Sequence, residues 1–297
     1  MKAYLLGVLG VVIFAMTFPM TRLAVGTALA PQLSPWFSAF GRAAVAGLLS
    51  LAYLALTSQL KAQNRPKQGD WLLLAITAAG VVFGFPLLTA WALRYVEAIH
   101  AAVLIGFLPL ATALLGAWMA RQRPSIGFWL CATIGSALVA IYALIHNSNS
   151  ALLFHPADAL LALAVLCAAI GYAYGAVVSA RLGGQQVICW ALIISLPITI
   201  PVSLYLLPTG AITVSAWLGF GYISIFSMWL GFFAWYRALA LGGTVRMSQI
   251  QLLQPLLSIA FAVPILGERL DLVTVVFALA IITIVFIGKK MPVRSAL

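Results

Sequence analysis

The chain has 297 residues, of which 64% are hydrophobic and 7% are charged, and its mean hydropathy is +1.13. A soluble domain is about 25% charged, so this composition excludes a soluble protein and predicts an all-α integral membrane protein. The net charge of +11 does not indicate a nucleic-acid partner, because the basic residues are scattered between apolar runs. Cys131, Cys167 and Cys189 lack the spacing of a metal site or a disulfide framework, so no metal and no cofactor are expected.

Apolar runs of membrane-spanning length follow one another along the whole chain. A bilayer core about 30 Å thick requires a helix of about 20 mostly apolar residues. The connections are short, and the longest polar stretch, residues 58–70, is a loop rather than a soluble domain. We therefore predict ten transmembrane helices, numbered in chain order, at residues 4–26, 34–57, 71–93, 98–120, 125–146, 158–180, 186–207, 214–236, 246–266 and 271–288.

The distribution of Lys and Arg predicts the orientation of these helices. With the N-terminus inside, 12 of the 16 basic residues fall in cytoplasmic segments, whereas the outer loops 27–33, 147–157 and 208–213 have none. Cytoplasmic loops carry the excess of basic residues in multi-pass proteins. We therefore expect a multi-pass protein of the cell (inner) membrane with both termini in the cytoplasm.

A weak internal repeat relates the two halves of the chain. A shift of 146 residues places Pro109 on Pro255, each followed by leucine. Five helices then fall in residues 1–149 and five in residues 150–297, and this odd number predicts that the second half is inverted. An inverted repeat with helices interrupted at matching places is typical of secondary transporters, whose site lies at the repeat interface. The alternative is an old duplication without a transport role.

Several short motifs match one known family. Residues 14–22, Phe-Ala-Met-Thr-Phe-Pro-Met-Thr-Arg, look like its Trp-Gly-x-x-Phe-x-x-x-Lys pattern, and Arg42 matches an arginine of its second helix. Tyr172 stands where the second half usually has tryptophan, and residues 267–270, Gly-Glu-Arg-Leu, match the family's ending. Gln122 departs from the pattern, which has an acidic residue there. The chain thus resembles the ten-helix EamA-type branch of the drug/metabolite transporter superfamily over nearly its whole length.

The resemblance implies a central cavity lined by helices 1, 3, 4, 6, 8 and 9. Phe14 and Tyr172 would form opposing walls or gates of this cavity, or they are ordinary packing residues. Pro19 leaves the carbonyl of Ala15 without its helical partner beside Thr17, which predicts a broken and flexible helix near the midplane.

Helices 8 and 9 supply further candidates. In helix 8, Trp229 and Phe233 lie one turn apart and could stack on a flat substrate. The following pair, Trp235 and Tyr236, is predicted to belong to the aromatic belt at the cytoplasmic membrane surface.

Helix 9 carries a polar stripe. Gln251, Gln254 and Ser258 share one helical face, Gln249 lies nearby, and Pro255 frees the carbonyl of Gln251. Such a stripe favours a water-filled substrate cavity over contact with lipid. A helix–helix packing face held by amide hydrogen bonds is the alternative.

Charged residues inside the predicted helices are scarce. A charge at the bilayer centre costs about 2.5–3.5 kcal/mol on insertion scales, so each is a functional candidate. Arg42 either holds an anionic substrate group, snorkels outward or forms a structural pair, and we favour the last two. His100, at the start of helix 4, is a candidate for proton coupling. No carboxylate lies in mid-helix, so we expect a neutral, zwitterionic or amphipathic substrate and no coupling through a central carboxylate.

Together these patterns predict a secondary transporter that exports a small metabolite by alternating access. An amino acid or a related compound is the first candidate for this metabolite. Multidrug or amphiphile efflux is the alternative, and a non-transporting membrane subunit ranks below it. An enzyme is not expected, because the sequence shows no nucleophile–base pair or metal ligands at bilayer depth. The expected partners are a small-molecule substrate and the lipid bilayer, and the protein is expected to be a monomer or weak homodimer.

Overall fold

The protein is a bundle of helices, as its apolar composition predicts. The computed structural model describes residues 2–57, 65–119, 122–146, 156–242, 247 and 250–295. Nearly all of these residues are helical, because a chain in lipid satisfies its backbone N–H and C=O groups within each helix. In most cases the helix ends agree with the predicted ends to within a few residues.

The first half of the chain contains long helices, some of them divided into two segments. The α-helical segments are α1 (Lys2–Ala15), α2 (Thr17–Val25), α3 (Pro35–Leu56), α4 (Asp70–Thr77), α5 (Phe85–Tyr95), α6 (Ala98–Ile105), α7 (Leu108–Met119) and α8 (Ile126–His146). A π-helical segment, π1 (Ala78–Gly84), joins α4 to α5.

The second half has a similar succession of segments. They are α9 (Pro156–Leu182), α10 (Gly184–Tyr205), α11 (Val214–Tyr222), α12 (Gly231–Gly242), α13 (Leu253–Leu266) and α14 (Leu272–Lys290). A π-helical segment, π2 (Ile223–Leu230), joins α11 to α12, and a 3₁₀ turn (Ile250–Leu252) precedes α13.

Seven helices in the described part of the chain are long and apolar enough to cross a membrane. They are Lys2–Val25, Pro35–Leu56, Asp70–Ala92, Ala98–Met119, Pro156–Leu182, Gly184–Tyr205 and Val214–Gly242. Three shorter apolar helices, Ile126–Gly135, Ile250–Leu266 and Leu272–Gly288, lie at the remaining predicted positions. Large apolar side chains such as Leu56 and Tyr205 are exposed on the outside of the bundle, as a surface in contact with lipid requires.

The predicted helices 1, 4 and 9 are each interrupted close to a proline. α1 ends at Ala15 and α2 begins at Thr17, so Pro19 lies in the first turn of α2. Pro109 and Pro255 lie in the first turns of α7 and α13. Proline is tolerated there because the first N–H groups of a helix have no intrahelical acceptor. Each interruption therefore precedes its proline by a few residues.

The two π-helical segments lie at corresponding positions in the two halves. Adding 146 to the bounds of π1, 78–84, gives 224–230, which falls within π2. A π turn contains more residues than an α turn. Side chains that follow it therefore face a direction different from the one that a regular helical period predicts.

A short ribbon links two distant parts of the chain. Strand β1 (Gln122–Pro124) pairs antiparallel with strand β2 (Val293–Ser295), with Arg123 opposite Arg294. Three-residue strands carry too little alternation of polar and apolar residues to be recognised in a sequence. The ribbon joins the segment before α8 to the segment after α14.

The helices of the two halves pack against one another. α3 packs against α10, α6 against α13, and α8 against α14. α1 packs against α12, and α5 packs against α9. The space between these pairs is filled mainly by buried apolar side chains, with a small polar region that we describe next.

Candidate functional site

A closed chamber lies between helices from both halves of the chain. Its cavity volume is about 10 Å³, which is about the space of one water molecule. Pockets for small organic ligands measure about 300–1,000 Å³, so the chamber is closed in this conformation. The residues that line it are Phe14, Thr17, Arg42, Val81, Phe85, Tyr172, Ser227, Phe232 and Gln254.

The interruption between α1 and α2 brings the two halves together. Pro19 has no N–H, so the carbonyl of Ala15 lacks its helical partner. Ser258 of α13 supplies one, because its Oγ donates a 2.9 Å hydrogen bond to the Ala15 carbonyl. This bond joins the interrupted helix of the first half to the interrupted helix of the second.

Three polar side chains form a hydrogen-bonded cluster in the chamber wall. Thr17 Oγ1 and Ser227 Oγ are 2.8 Å apart, and Arg42 Nη2 donates to Ser227 Oγ at 3.3 Å. All three side chains are buried. The cluster therefore connects α2, α3 and π2 at the chamber.

Aromatic rings form much of the remaining wall. The centroid of the Phe232 ring is 5.0 Å from that of Phe14 and 6.1 Å from that of Tyr172. Tyr172 also lies 5.8 Å from the Trp235 ring. Such tilted and edge-to-face contacts are favourable for aromatic pairs. Phe14 and Tyr172 thus line the chamber and also pack on a shared neighbour, so the two hypotheses about them are compatible.

The expectation that Trp235 and Tyr236 form an interfacial belt is wrong. Both side chains are fully buried. Tyr236 Oη donates a 3.0 Å hydrogen bond to the Gly171 carbonyl, and its ring occupies the space that a side chain at Gly175 would need. α12 continues to Gly242, beyond the predicted helix end at 236, so the pair lies deeper than predicted.

Trp229 and Phe233, the predicted stacking pair, lie elsewhere. Their ring centroids are 6.1 Å and 5.1 Å from Tyr53 of α3, and 5.1 Å from each other. Neither is among the residues that line the chamber. Trp229 belongs to π2, where the regular helical period does not hold, and Phe232 takes the chamber position instead.

The polar stripe of helix 9 is divided between several roles. Gln254 lines the chamber, whereas Ser258 binds the Ala15 carbonyl. Gln251 lies in the 3₁₀ turn and is 1% exposed, and within the described part of the chain neither amide atom has a hydrogen-bond partner. Gln249 lies outside the described residues. All three described side chains of the stripe are buried, and a 3₁₀ turn, in which the rotation per residue differs from that of an α-helix, separates Gln251 from the other two.

Arg42 does not snorkel to the membrane surface, which corrects one of the two interpretations that we favoured. The side chain is only 2% exposed, and its guanidinium binds the Ser227 hydroxyl. The polar cluster supplies a partner inside the protein, so the head group has no need to reach the membrane surface. Arg42 therefore presents a positive charge at the chamber.

His100 lies in the first turn of α6 and pairs with Asp158 of α9. His100 Nε2 is 2.7 Å from Asp158 Oδ1, and the two side chains are 1% and 7% exposed. Asp158 is therefore a buried acid, although it does not lie in mid-helix. Asp158 lies near a helix end in the sequence, but that end packs inside the protein. A proton-coupling role for His100 stays a prediction.

A larger cavity opens at one end of the bundle. Its volume is about 650 Å³. We call it the vestibule, and we call that end of the bundle the vestibule face. Loops between helices supply most of its polar side chains, which include Arg22, Gln32, Glu97, Thr213, Glu268 and Arg269.

Glu268 links the two halves at the vestibule. Gly267 adopts a φ of 68°, a left-handed conformation that ends α13 and turns the chain. The two carboxylate oxygens of Glu268 accept 2.8 Å hydrogen bonds from the N–H groups of Ala98 and Ile99. Burial raises the pKa of Glu268, and these hydrogen bonds oppose that rise. Glu268 thus caps the N-terminus of α6, which lies in the other half.

Four residues that line the chamber were not predicted as site residues. They are Val81, Phe85, Ser227 and Phe232. The 146-residue shift places Ser227 on Val81 and both line the chamber, but the repeat could not identify either residue in advance because neither was predicted. No local pattern in the sequence distinguishes Phe85 from the other apolar residues of its helix.

The chemical groups of the chamber are suited to binding a small molecule. The lining offers a guanidinium, hydroxyls, an amide and aromatic rings, which act through charge, hydrogen bonds and stacking. Within the described ranges, His, Cys, Asp and Glu form no group of three that could hold a metal ion.

Comparison with known proteins agrees with this architecture. The model of the EamA-like transporter family matches residues 1–144 and 155–288. The chain is 42% identical over 286 residues to the "Uncharacterized transporter YdeK" of Bacillus subtilis (strain 168), which covers 96% of each protein. A solved crystal structure is similar to this chain with a TM-score of 0.66, and the match covers 96% of this chain and 95% of that structure's chain. The two sequences are 16% identical, so this is a likeness of fold alone. Because the family match extends over both halves, the chain belongs to the EamA-like transporter family.

Proposed function

We propose that the protein is a secondary transporter of the cell (inner) membrane that exports a small metabolite by alternating access. The observation that carries this proposal is the closed chamber, to which both halves contribute. Thr17 and Arg42 come from the first half, and Tyr172 and Gln254 come from the second. Sites between two repeats, near interrupted helices, are typical of secondary transporters.

The packing of the helices supports two equivalent halves related by a pseudo-two-fold axis. Under the repeat, α3 and α10 are counterparts, as are α6 and α13, and α8 and α14, and each pair is in contact. α9 is the counterpart of α1 and α5 is the counterpart of α12, so the contact of α1 with α12 corresponds to the contact of α9 with α5. A two-fold axis that exchanges the halves produces this correspondence. An odd number of helices in each half would then make the repeat inverted.

The interrupted helices offer places where the halves can move. Alternating access requires one half to rock against the other around the site. The chain leaves the α-helical path at Met16 and again at the 3₁₀ turn Ile250–Leu252, and Thr17 and Gln254 lie just beyond these points. Bending there would open the chamber without disrupting the longer helical segments.

We infer that the vestibule faces the outside of the cell. Its lining includes residues between 26 and 32, at 213 and 215, and between 266 and 269. The distribution of basic residues places these loops outside. Both termini would then be cytoplasmic.

An amino acid or a related compound is the first candidate for the substrate. We assign Phe14, Thr17, Tyr172 and Gln254 to substrate contact, and Gln251 would join them if the chamber opens. The unpartnered amide of Gln251 supports this assignment, because a buried polar group without a partner is costly. Amphiphile efflux is the second candidate, favoured by the aromatic rings in the wall.

Flux into proteoliposomes tests the proposal. The purified protein is reconstituted, and uptake of a panel of radiolabelled amino acids is measured with and without a pH gradient. Matched liposomes carry Gln254→Leu, which removes a chamber amide, or Gln185→Leu, which removes an exposed amide in α10. We expect saturable flux that is lost in Gln254→Leu and kept in Gln185→Leu.

The other outcomes separate the parts of the proposal. Flux that Gln254→Leu leaves unchanged would refute the chamber as the transport site. An absence of amino-acid flux, together with flux of amphiphilic compounds, would favour the second candidate. Dependence on the pH gradient would support coupling to protons, for which His100 is the candidate residue.

A further inference from the structure

Arg42 is a buried cation without an acidic partner in the described structure. The ion pairs His100–Asp158 and Arg181–Asp70 do not include Arg42. The chamber lining contains no Asp or Glu. A buried charge is costly unless an opposite charge compensates it. A charge that is kept inside a membrane protein without such a partner therefore indicates a function. No acidic side chain of the chamber lining compensates the positive charge of Arg42.

The hydrogen bonds of Arg42 also leave part of the guanidinium unused. The side chain donates through Nη2 to Ser227, and its Nε, although buried, has no partner in the described structure. A guanidinium carries five N–H donors in a fixed planar fork. This fork matches the two oxygens of a carboxylate, with which it forms bidentate, charge-assisted bonds.

The surroundings of Arg42 are apolar and aromatic. Phe14, Phe85, Tyr172 and Phe232 line the same chamber, together with Val81. The polar groups there, Thr17, Ser227 and Gln254, are uncharged. A ligand that fits this chamber therefore combines one negative group with an apolar or aromatic body. An ammonium group would face hydroxyl, amide and ring groups but no carboxylate.

We propose that the transported molecule is a small organic carboxylate with an apolar or aromatic body and no fixed positive charge, and that Arg42 binds its carboxylate. This inference rests on the transport function proposed above. It replaces the first candidate substrate, an amino acid, with a related carboxylate that lacks the ammonium group. The bound carboxylate neutralises Arg42 in the closed chamber. Ser227 binds the guanidinium, and Thr17 in turn binds the Ser227 hydroxyl.

A purely structural role for Arg42 makes a different prediction. If the guanidinium serves only to join α3 to π2 through Ser227, its removal lowers stability but does not change which ligands bind. If it binds a carboxylate, the wild-type protein distinguishes ligands by their charge. The charge preference of the unmodified protein is therefore the decisive measurement, and it does not depend on whether a variant folds.

Calorimetric titration of the full chain in lipid nanodiscs measures this preference. The probes share one aromatic body and differ in charge: phenylacetate, phenylacetamide, phenethylamine and phenylalanine. We expect phenylacetate to bind at least about tenfold more tightly than phenylacetamide, since hydrogen bonds to charged groups are the stronger ones. Phenylalanine is expected to bind less tightly than phenylacetate, and phenethylamine is expected not to bind.

Variants then test the residue. Arg42→Gln is expected to lose the preference for phenylacetate. Arg42→Lys keeps the positive charge but lacks the planar fork, so it is expected to retain part of that preference. Arg237→Gln is the matched control, because Arg237 is exposed near the end of α12. This control is expected to bind phenylacetate as the wild type does.

The outcomes distinguish this inference from the transport function. Equal binding of phenylacetamide, or binding of phenylacetate that Arg42→Gln leaves unchanged, would overturn the carboxylate site. So would a wild-type protein that binds no phenylacetate while it transports an amine or a neutral compound, and the transport function would then stand. Binding of phenylacetate without flux of any probe in proteoliposomes would support the site and refute transport.

Discussion

His100 and Asp158 form a buried pair that joins α6 to α9, with 2.7 Å between His100 Nε2 and Asp158 Oδ1. Each residue lies in the first turn of its helix. The Tyr142 ring lies 5.3 Å from the His100 ring, and Tyr142 Oη is 3.3 Å from Thr274 Oγ1. The pair thus belongs to a polar contact region in which helices from both halves meet.

We expect the removal of either partner to destabilise the protein. His100→Leu removes the imidazole from its 2.7 Å contact with the buried Asp158 carboxylate, and Asp158→Leu removes the carboxylate from the same contact. A hydrogen bond that involves a charged group contributes about 1.5–3 kcal/mol. A double-mutant cycle of unfolding free energies in detergent should therefore give a coupling of about 0.5–3 kcal/mol.

A second cycle provides the control for this measurement. Asp70 is also a buried acid, but it pairs with Arg181. The effects of His100→Leu and Asp70→Leu should add within about 0.5 kcal/mol, because the two residues share no partner. If the effects of His100→Leu and Asp158→Leu also add within about 0.5 kcal/mol, the contact between the two residues contributes no coupling.

The positions of the helices could be predicted from the sequence because each depends on a local run of apolar residues. The helix predicted at 34–57 lies at Pro35–Leu56, where Ser34 caps the N-terminus by accepting a 3.0 Å hydrogen bond from Phe37 N. The interruption before Pro19 follows from its missing N–H. The ribbon between β1 and β2 could not be predicted, because its strands are short and distant in sequence.

The candidate site could be predicted only in part. Thr17 and Gln254 follow from polarity beside a helix break, and both line the chamber. Trp229 lies in a π-helical segment, which no sequence period reveals, and it packs near Tyr53 rather than lining the chamber. The burial of Asp158 depends on what packs against a helix end, and its position in the sequence carries no such information.

Glu268 should make stability depend on pH at the vestibule face. Burial raises its pKa above the ordinary value of 4.5. The hydrogen bonds from Ala98 and Ile99 lower it, Glu97 raises it and Arg22 lowers it. Because the pKa is higher in the folded state than in the unfolded state, the folded protein binds more protons just above pH 4.5. Stability should therefore fall as pH rises through the folded-state pKa.

Thermal unfolding at a series of pH values measures this effect. In Glu268→Gln the titrating group is absent and one acceptor oxygen remains, so the unfolding temperature should vary less across the window above pH 4.5. Gln185→Leu is the control, because Gln185 is exposed, carries no titrating group and lies outside the vestibule lining, so its pH profile should match that of the wild type. A pH profile of Glu268→Gln identical to that of the wild type would contradict the expectation.

The contact between π1 and α9 should tolerate no side chain at Gly80. A Cβ atom there would come within 3.0 Å of backbone atoms of Cys167 and Gly171, whereas one at Gly221 in α11 would meet no atom within 4 Å. Small residues allow helices in membranes to approach closely. Gly80→Ala should therefore cost about 1–3 kcal/mol of unfolding free energy. Gly221→Ala should leave the unfolding free energy unchanged or raise it by up to about 1 kcal/mol. If chemical unfolding shows the same change for both variants, this interpretation is contradicted.

Pro19 should be needed for movement rather than for binding. The Pro19→Ala variant gains an N–H that can bond to the Ala15 carbonyl, in competition with Ser258 Oγ. The competition favours a continuous and stiffer helix across the interruption at Met16. Transport by alternating access requires a conformational step, which often limits turnover.

The two consequences of this substitution can be measured separately. The maximal flux of Pro19→Ala in proteoliposomes should fall, whereas its equilibrium affinity for the transported compound should stay within about threefold of the wild-type value. Ser258→Ala removes the competing donor and should cost about 0.6 kcal/mol of stability, the average of such bonds between membrane helices. Combining the two substitutions should lower the flux further, because nothing then competes for the Ala15 carbonyl. Unchanged flux in Pro19→Ala would show that the interruption is a packing feature and that the halves move about another point.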